Sequence, residues 1–126
     1  MKVLILHGLN GSDFPHWQAH LAADLIEEGE VLFPDLSDCD HPHLETWIEE
    51  LHEMMSDFSP DCVVCHSLAN LLWIHYLLRY PQTKVKKQLL VAPPSLTHPL
   101  TEALTFFPTP LVCVAPYAHQ SLLVLS

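Results

Sequence analysis

Positive charge is scarce in this chain: five Lys and Arg residues stand against 15 Asp and Glu, a formal net charge of −10 over 126 residues. The scarcity is uneven. Residues 1–78 hold one base, Lys2, among 14 acids, whereas residues 79–126 hold four bases and one acid, Glu102. A surface this acidic repels phosphate backbones, which argues against nucleic acid as a partner. Long apolar runs are missing too. None approaches the roughly 20 residues of a membrane span, so no membrane partner is expected. The N-terminal run 3–6 is too short for a secretion signal and has no small-residue cleavage site behind it, so a cytoplasmic chain is expected. There are no repeats, low-complexity tracts or linkers. Charged residues make up 16% and apolar residues 49%, a balance that excludes disorder. The length suits one domain, able to bury roughly two thirds of its unfolded surface.

The four cysteines, Cys39, Cys62, Cys65 and Cys113, read as free thiols of a reducing compartment. Cys62 and Cys65 have CxxC spacing but fall within an expected strand. Positions three apart there face opposite sides, whereas a redox pair wants a helix N-terminus and a zinc knuckle wants a turn. No metal and no cofactor is expected. His16 and His20, four apart, sit on the polar face of a helix. The acidic loop 35–43 is rich in ligand types but meets no fixed metal spacing.

Short β-rich runs alternate with helical segments. Strands are expected at 3–6, 30–34, 62–66 and 85–92, with a fifth at 122–125; residues 111–115 are a rival for that place. Helices are expected at 15–28, capped by Asp13 or Ser12 and closed at Gly29, at 44–58, and at 68–80. A short one is expected within 97–107. Over 44–58, Leu44, Trp47, Ile48, Leu51, Met54, Met55 and Phe58 form one stripe at spacings of three and four, and Ser59-Pro60 stops it. The segment 68–80 is apolar nearly all round and should be central. Such alternation implies right-handed βαβ units: a three-layer α/β/α domain around a parallel sheet, with strand order 2-1-3-4-5. Ligands of such sheets bind at the C-terminal strand ends. The loops after strands one and three are the places to seek chemistry.

After strand three, Cys65-His66-Ser67-Leu68-Ala69 puts a serine at a sharp strand-to-helix junction with small residues at minus two and plus two. Larger flanks would collide with the adjoining strand and helix. The following helix N-terminus favours a developing oxyanion. After strand one comes His7-Gly8-Leu9-Asn10-Gly11-Ser12, whose glycines let the backbone approach a neighbour closely. The first pattern resembles the nucleophile elbow of α/β-hydrolases, usually G-x-S-x-G, with Cys65 and Ala69 in place of both glycines. The second resembles their oxyanion loop. Taken with His16-Trp17, Pro34-Asp35-Leu36, Trp47 to Leu51, Leu90 to Pro94 and Phe106 to Pro110, the ordered set resembles small serine hydrolases typified by retinoblastoma-binding protein 9 and the YdeN proteins, over nearly the whole chain.

That resemblance implies an esterase-like hydrolase of a small ester or amide. Ser67 would be the nucleophile. The N–H groups of Leu68 and of Leu9, or alternatively Asn10, would form the oxyanion hole. His7, Gly8, Asn10, His66 and Asp35 would line the site. It also implies an acid and then a histidine later in the chain. The best match to the strand before that acid is 121–125, so neither partner can be carried over, and the domain is expected to lack its C-terminal part. His66 is adjacent to Ser67 and should point away from it. His119 should lie at the opposite sheet edge. Asp35 is at the correct edge but without an evident histidine. A serine without a base is a weak nucleophile. A sheet face covered by 15–28 alone would favour self-association. The alternatives are an inactive member that binds protein and, less well supported, a flavodoxin-like nucleotide binder; for the latter, Gly8 to Ser12 lacks a phosphate-cradling glycine pattern.

Overall fold

The computed structural model describes residues 1–110 and 114–125. Five strands, β1 (Lys2–Leu6), β2 (Glu30–Leu32), β3 (Cys62–His66), β4 (Val85–Val91) and β5 (Ala118–Val124), form one sheet in the order β2-β1-β3-β4-β5. Every pairing is parallel. Between them run helices α1 (Trp17–Leu25), α2 (Leu44–Phe58) and α3 (Leu68–Arg79), and a 3-10 helix Thr101–Phe106. Strand order and the three-layer architecture are those expected. Among the described residues, no helix is long and apolar enough to cross a membrane.

Helix α2 forms over the expected span because its stripe has a face to bury: Leu44, Trp47, Ile48 and Leu51 are all buried. Ser59 ends it in the left-handed region (φ 49°), its N–H donating to Met55 O at 3.1 Å. Helix α3 is buried almost all round, from Leu68 to Leu77, at the centre of that side. Strand alternation sends Val63 and Cys65 into this cluster, with Trp47, Trp73 and Phe106. Cys62 and Val64 face the other side, where Trp17, Leu21 and Leu25 of α1 pack on Val3 and Ile5. The two cysteines of the CxxC thus lie on opposite faces.

Several boundaries differ from expectation, most by one or two residues, and those of α1, β2 and β5 have visible causes. Helix α1 is shorter than 15–28, and its cap is His16, whose Nδ1 accepts from Gln18 N–H at 3.1 Å. Ser12 instead donates to Gln18 Oε1 at 2.7 Å. Gly29 is not a left-handed helix terminator. A Cβ there would fall 2.5 Å from Met1 O, so it permits a close backbone approach. Strand β2 stops at Leu32, before Phe33 and Pro34. Strand β5 begins at Ala118, opposite Val85, because β4 offers partners that far back. The polar His119, Gln120 and Ser121 hid this from the hydropathy pattern. Of the rival segment 111–115, residues 111–113 lie outside the described residues, and Ala115 opens a 3-10 turn.

Candidate active site

Ser67 joins β3 to α3 with φ 53° and ψ −119°, a conformation that costs a non-glycine residue of order 1–3 kcal/mol and persists only where its surroundings impose it. The restraints are visible. Ser67 N–H donates to Val91 O at 3.0 Å, and Ser67 O accepts from Asn70 N–H at 3.0 Å. The Asn70 side chain adds two more bonds, its Nδ2 donating to Ser67 O and to Val91 O, each at 2.9 Å. Cys65 and Ala69, the small flanks, have no exposed surface at all.

Gly8 closes the site from the β1 side. A Cβ on it would lie 2.9 Å from His66 O, 3.0 Å from Ser67 Cβ and 3.2 Å from Leu68 N. Only glycine lets the two loops approach this closely. The loop then turns back through Asn10 and Gly11, both with positive φ, and Asn10 N–H donates to Cys39 O at 2.7 Å. That bond occupies one of the two amides considered as oxyanion donors. Leu9 N–H has no backbone partner among the described residues.

His7, expected to line the site, is buried. Its Nε2 accepts from Leu36 N–H at 2.8 Å, which places the ring hydrogen on Nδ1, 2.8 Å from Gly8 O. With both nitrogens engaged and its ring edge-on to Trp47, it braces the loops after β1 and β2. His66 turns to the α1 side, against the rings of His16 (4.6 Å) and Trp17 (5.6 Å). Burial, and to a smaller extent His16, holds its pKa below the usual imidazole value. Burial lowers that of His16 as well. Asp35 is exposed, with no hydrogen bond or ion pair among the described residues. The nearby Cys39 thiol is pushed up by burial, then by Asp40, and less by Asp35. His119 lies on β5 at the N-terminal edge of the sheet, as expected. Among the described residues, no three His, Cys, Asp or Glu side chains gather as metal ligands. Nor does an imidazole or carboxylate hydrogen-bond to the Ser67 hydroxyl.

Two buried polar residues escaped the sequence reading. Asn70 interrupts an otherwise apolar stretch, the one signal that could have exposed its part in holding Ser67. Gln18, fully buried beside Trp17, donates from Nε2 to Leu6 O at 2.9 Å and ties the end of β1 to α1. The arrangement offers a hydroxyl on a restrained turn, with the Leu68 amide and a helix N-terminus beside it, a geometry suited to stabilising charge on an acyl oxygen.

Similarity to known proteins agrees with this geometry. The crystal structure of the ydeN gene product from Bacillus subtilis superposes with a TM-score of 0.63 at 24% identity, covering 71% of this chain. The match spans half the length of that protein. No curated protein matches the chain. Residues 3–126 match the family described as serine hydrolase. With the parallel sheet in the order 2-1-3-4-5, the chain belongs to this serine hydrolase family, of the α/β-hydrolase type.

Proposed function

We propose that Ser67 is the nucleophile of a carboxylesterase-like hydrolase acting on a small ester or amide. The hydroxyl attacks the carbonyl carbon, and the N–H groups of Leu68 and Leu9 hold the oxyanion. The observation that carries this reading is the strained Ser67 turn, with Gly8 so close that a single Cβ would strike it. Among the described residues no acid or base hydrogen-bonds to the Ser67 hydroxyl, and a serine without a base is a weak nucleophile. The free thiols of Cys39, Cys62 and Cys65 suit a cytoplasmic setting. A fluorophosphonate probe tests the nucleophile: labelling of the wild type that disappears in Ser67→Ala supports it. Labelling that survives in Ser67→Ala, or never occurs, removes it.

The second reading, a catalytically inactive, protein-binding member of the fold that pairs with a second copy of itself, is favoured by β5. Leu122 and Leu123 there are 60% and 56% exposed, and Leu125 just beyond is 72% exposed. Exposed apolar strands pair with other chains. Sedimentation velocity of the wild type against Leu122→Lys tests it: a dimer that dissociates in the variant supports it, and a monomeric wild type removes it.

A further inference from the structure

The two amides beside Ser67 are fixed in different ways. Leu68 N–H belongs to the buried first turn of α3. Leu9 N–H belongs to a loop, and its direction depends on one peptide plane. The Gly8–Leu9 peptide is trans, so its C=O and N–H point opposite ways. Whatever holds the Gly8 carbonyl therefore aims the Leu9 amide. Two donors hold it: His7 Nδ1–H at 2.8 Å and Gly11 N–H at 3.2 Å. On the far side of the plane, Leu9 N–H has no backbone partner among the described residues. Leu9 N lies within about 2.9 Å of Gly8 Cα, the summed lengths of two bonds. A Cβ on that Cα would be 3.0 Å from Ser67 Cβ and 3.2 Å from Leu68 N, so both amides meet at the serine turn.

His7 is itself held on both nitrogens. Leu36 N–H can only donate, so Nε2 accepts and the hydrogen stays on Nδ1. The turn that carries Leu36 is fixed to α2. Ser37 O accepts from Trp47 Nε1–H at 2.7 Å, and the Ser37 N–H and hydroxyl donate to the two Glu50 oxygens at 3.0 and 2.6 Å. Trp47 is fully buried, and its ring stands edge-on to His7 with centroids 5.4 Å apart. Directional bonds thus run without a break from α2 through residues 36–37 and the imidazole to Gly8 O. A brace between two loops needs only bulk and a bond to each. Aiming the amide needs a donor at the Nδ1 position.

We propose that His7 is a positioning residue for the oxyanion hole: its Nδ1–H sets the plane of the Gly8–Leu9 peptide and so aims Leu9 N–H at the acyl oxygen. This rests on Ser67 as the nucleophile. The ring touches no substrate and transfers no proton. Its contribution is to have the donor aimed before charge develops, so that no reorganisation is needed during reaction.

Two substitutions split the functions of the ring. Asn places Nδ2 where His7 has Nδ1 and can keep the bond to Gly8 O. Gln places Oε1 where His7 has Nε2 and can keep the bond from Leu36 N–H. Each retains one bond of the two, so a purely structural brace loses similarly in both. On the full chain, fluorophosphonate labelling of Ser67 should fall roughly tenfold or more in His7→Gln, and His7→Asn should restore much of that loss. Equal rates in the two variants, or a faster Gln variant, overturn the proposal and leave the nucleophile standing. A wild type that never labels overturns the nucleophile, and the part of His7 in catalysis with it. Nuclear magnetic resonance adds a readout that needs neither labelling nor a variant that folds. In the wild type, the imidazole nitrogen shifts should place the hydrogen on Nδ1, and a hydrogen on Nε2 overturns the proposal. In folded variants the Leu9 amide resonance should move further from its wild-type position with Gln than with Asn, and the reverse order overturns it.

Discussion

On the side of the sheet that faces α2 and α3, Trp47, Trp73, Phe106 and a run of leucines are sealed from solvent. On the side that faces α1, one nine-residue helix covers Val3, Ile5 and Val64 and then runs out. Register carries Val64 across to Leu89 and Leu122, and His66 to Val91 and Val124. Leu122 and Val124 at the end of those rows are exposed. The contrast separates stability from access. Helix α3, whose first turn holds Ser67, belongs to the sealed side, while the His66 ring beside it belongs to the open one. The serine turn is therefore anchored by the part of the molecule least able to relax.

If that division is right, the largest loss of stability comes from the sealed side. Trp73 is fully buried and donates from Nε1 to Gln88 Oε1 at 2.8 Å. Trp73→Ala should cost about 3–5 kcal/mol, through the cavity and the stranded Gln88 oxygen. Leu122→Ala on the open side should stay within roughly 0.5 kcal/mol. Urea unfolding monitored by circular dichroism compares the two. Similar losses would mean that the open side contributes to the core.

Gly8→Ala tests the junction between loops rather than the core. The nearest obstacle to its Cβ is the His66 backbone oxygen at 2.9 Å, which cannot rotate away. The loop after β1 must shift, taking the Leu9 amide with it. Fluorophosphonate labelling of Ser67 should fall roughly 100-fold, as when an oxyanion donor is lost, with helix content retained. Unchanged labelling would sever the β1 loop from the proposed chemistry. Asn70→Ala should do less. It removes two side-chain bonds worth about 1 kcal/mol each, so a loss of about 2 kcal/mol and slower labelling are expected.

What could be read in advance divides along physical lines. Helix α2 was legible because its stripe at spacings of three and four has one purpose, burial. The serine turn was legible because a buried strand, a small-x-Ser-x-small turn and a buried helix follow one another in sequence. The start of β5 was not, since His119, Gln120 and Ser121 are recruited by the length of β4 and not by their own hydropathy. The duties of His7, Gln18 and Asn70 were hidden for the same reason. Each bonds to a backbone group brought near only by the tertiary fold: Leu36 N–H, Leu6 O and Val91 O.

The smallest expected effect is a pH dependence specific to the open side. His66 faces Trp17 and His16, and burial holds its pKa below the ordinary 6.5. At pH above 6.5 the ring is neutral in both folded and unfolded chains and contributes no pH dependence. As pH falls below 6.5 the unfolded chain takes up the proton first, so stability declines until the folded ring also protonates. His66→Gln should flatten this acid limb in urea unfolding between pH 6.5 and 5, leaving part of the slope to His16, whose pKa is lowered by burial in the same direction. An identical slope in the variant would mean that His66 is as solvated as in the unfolded chain. The face beside α1 would then be open as far as the serine turn itself.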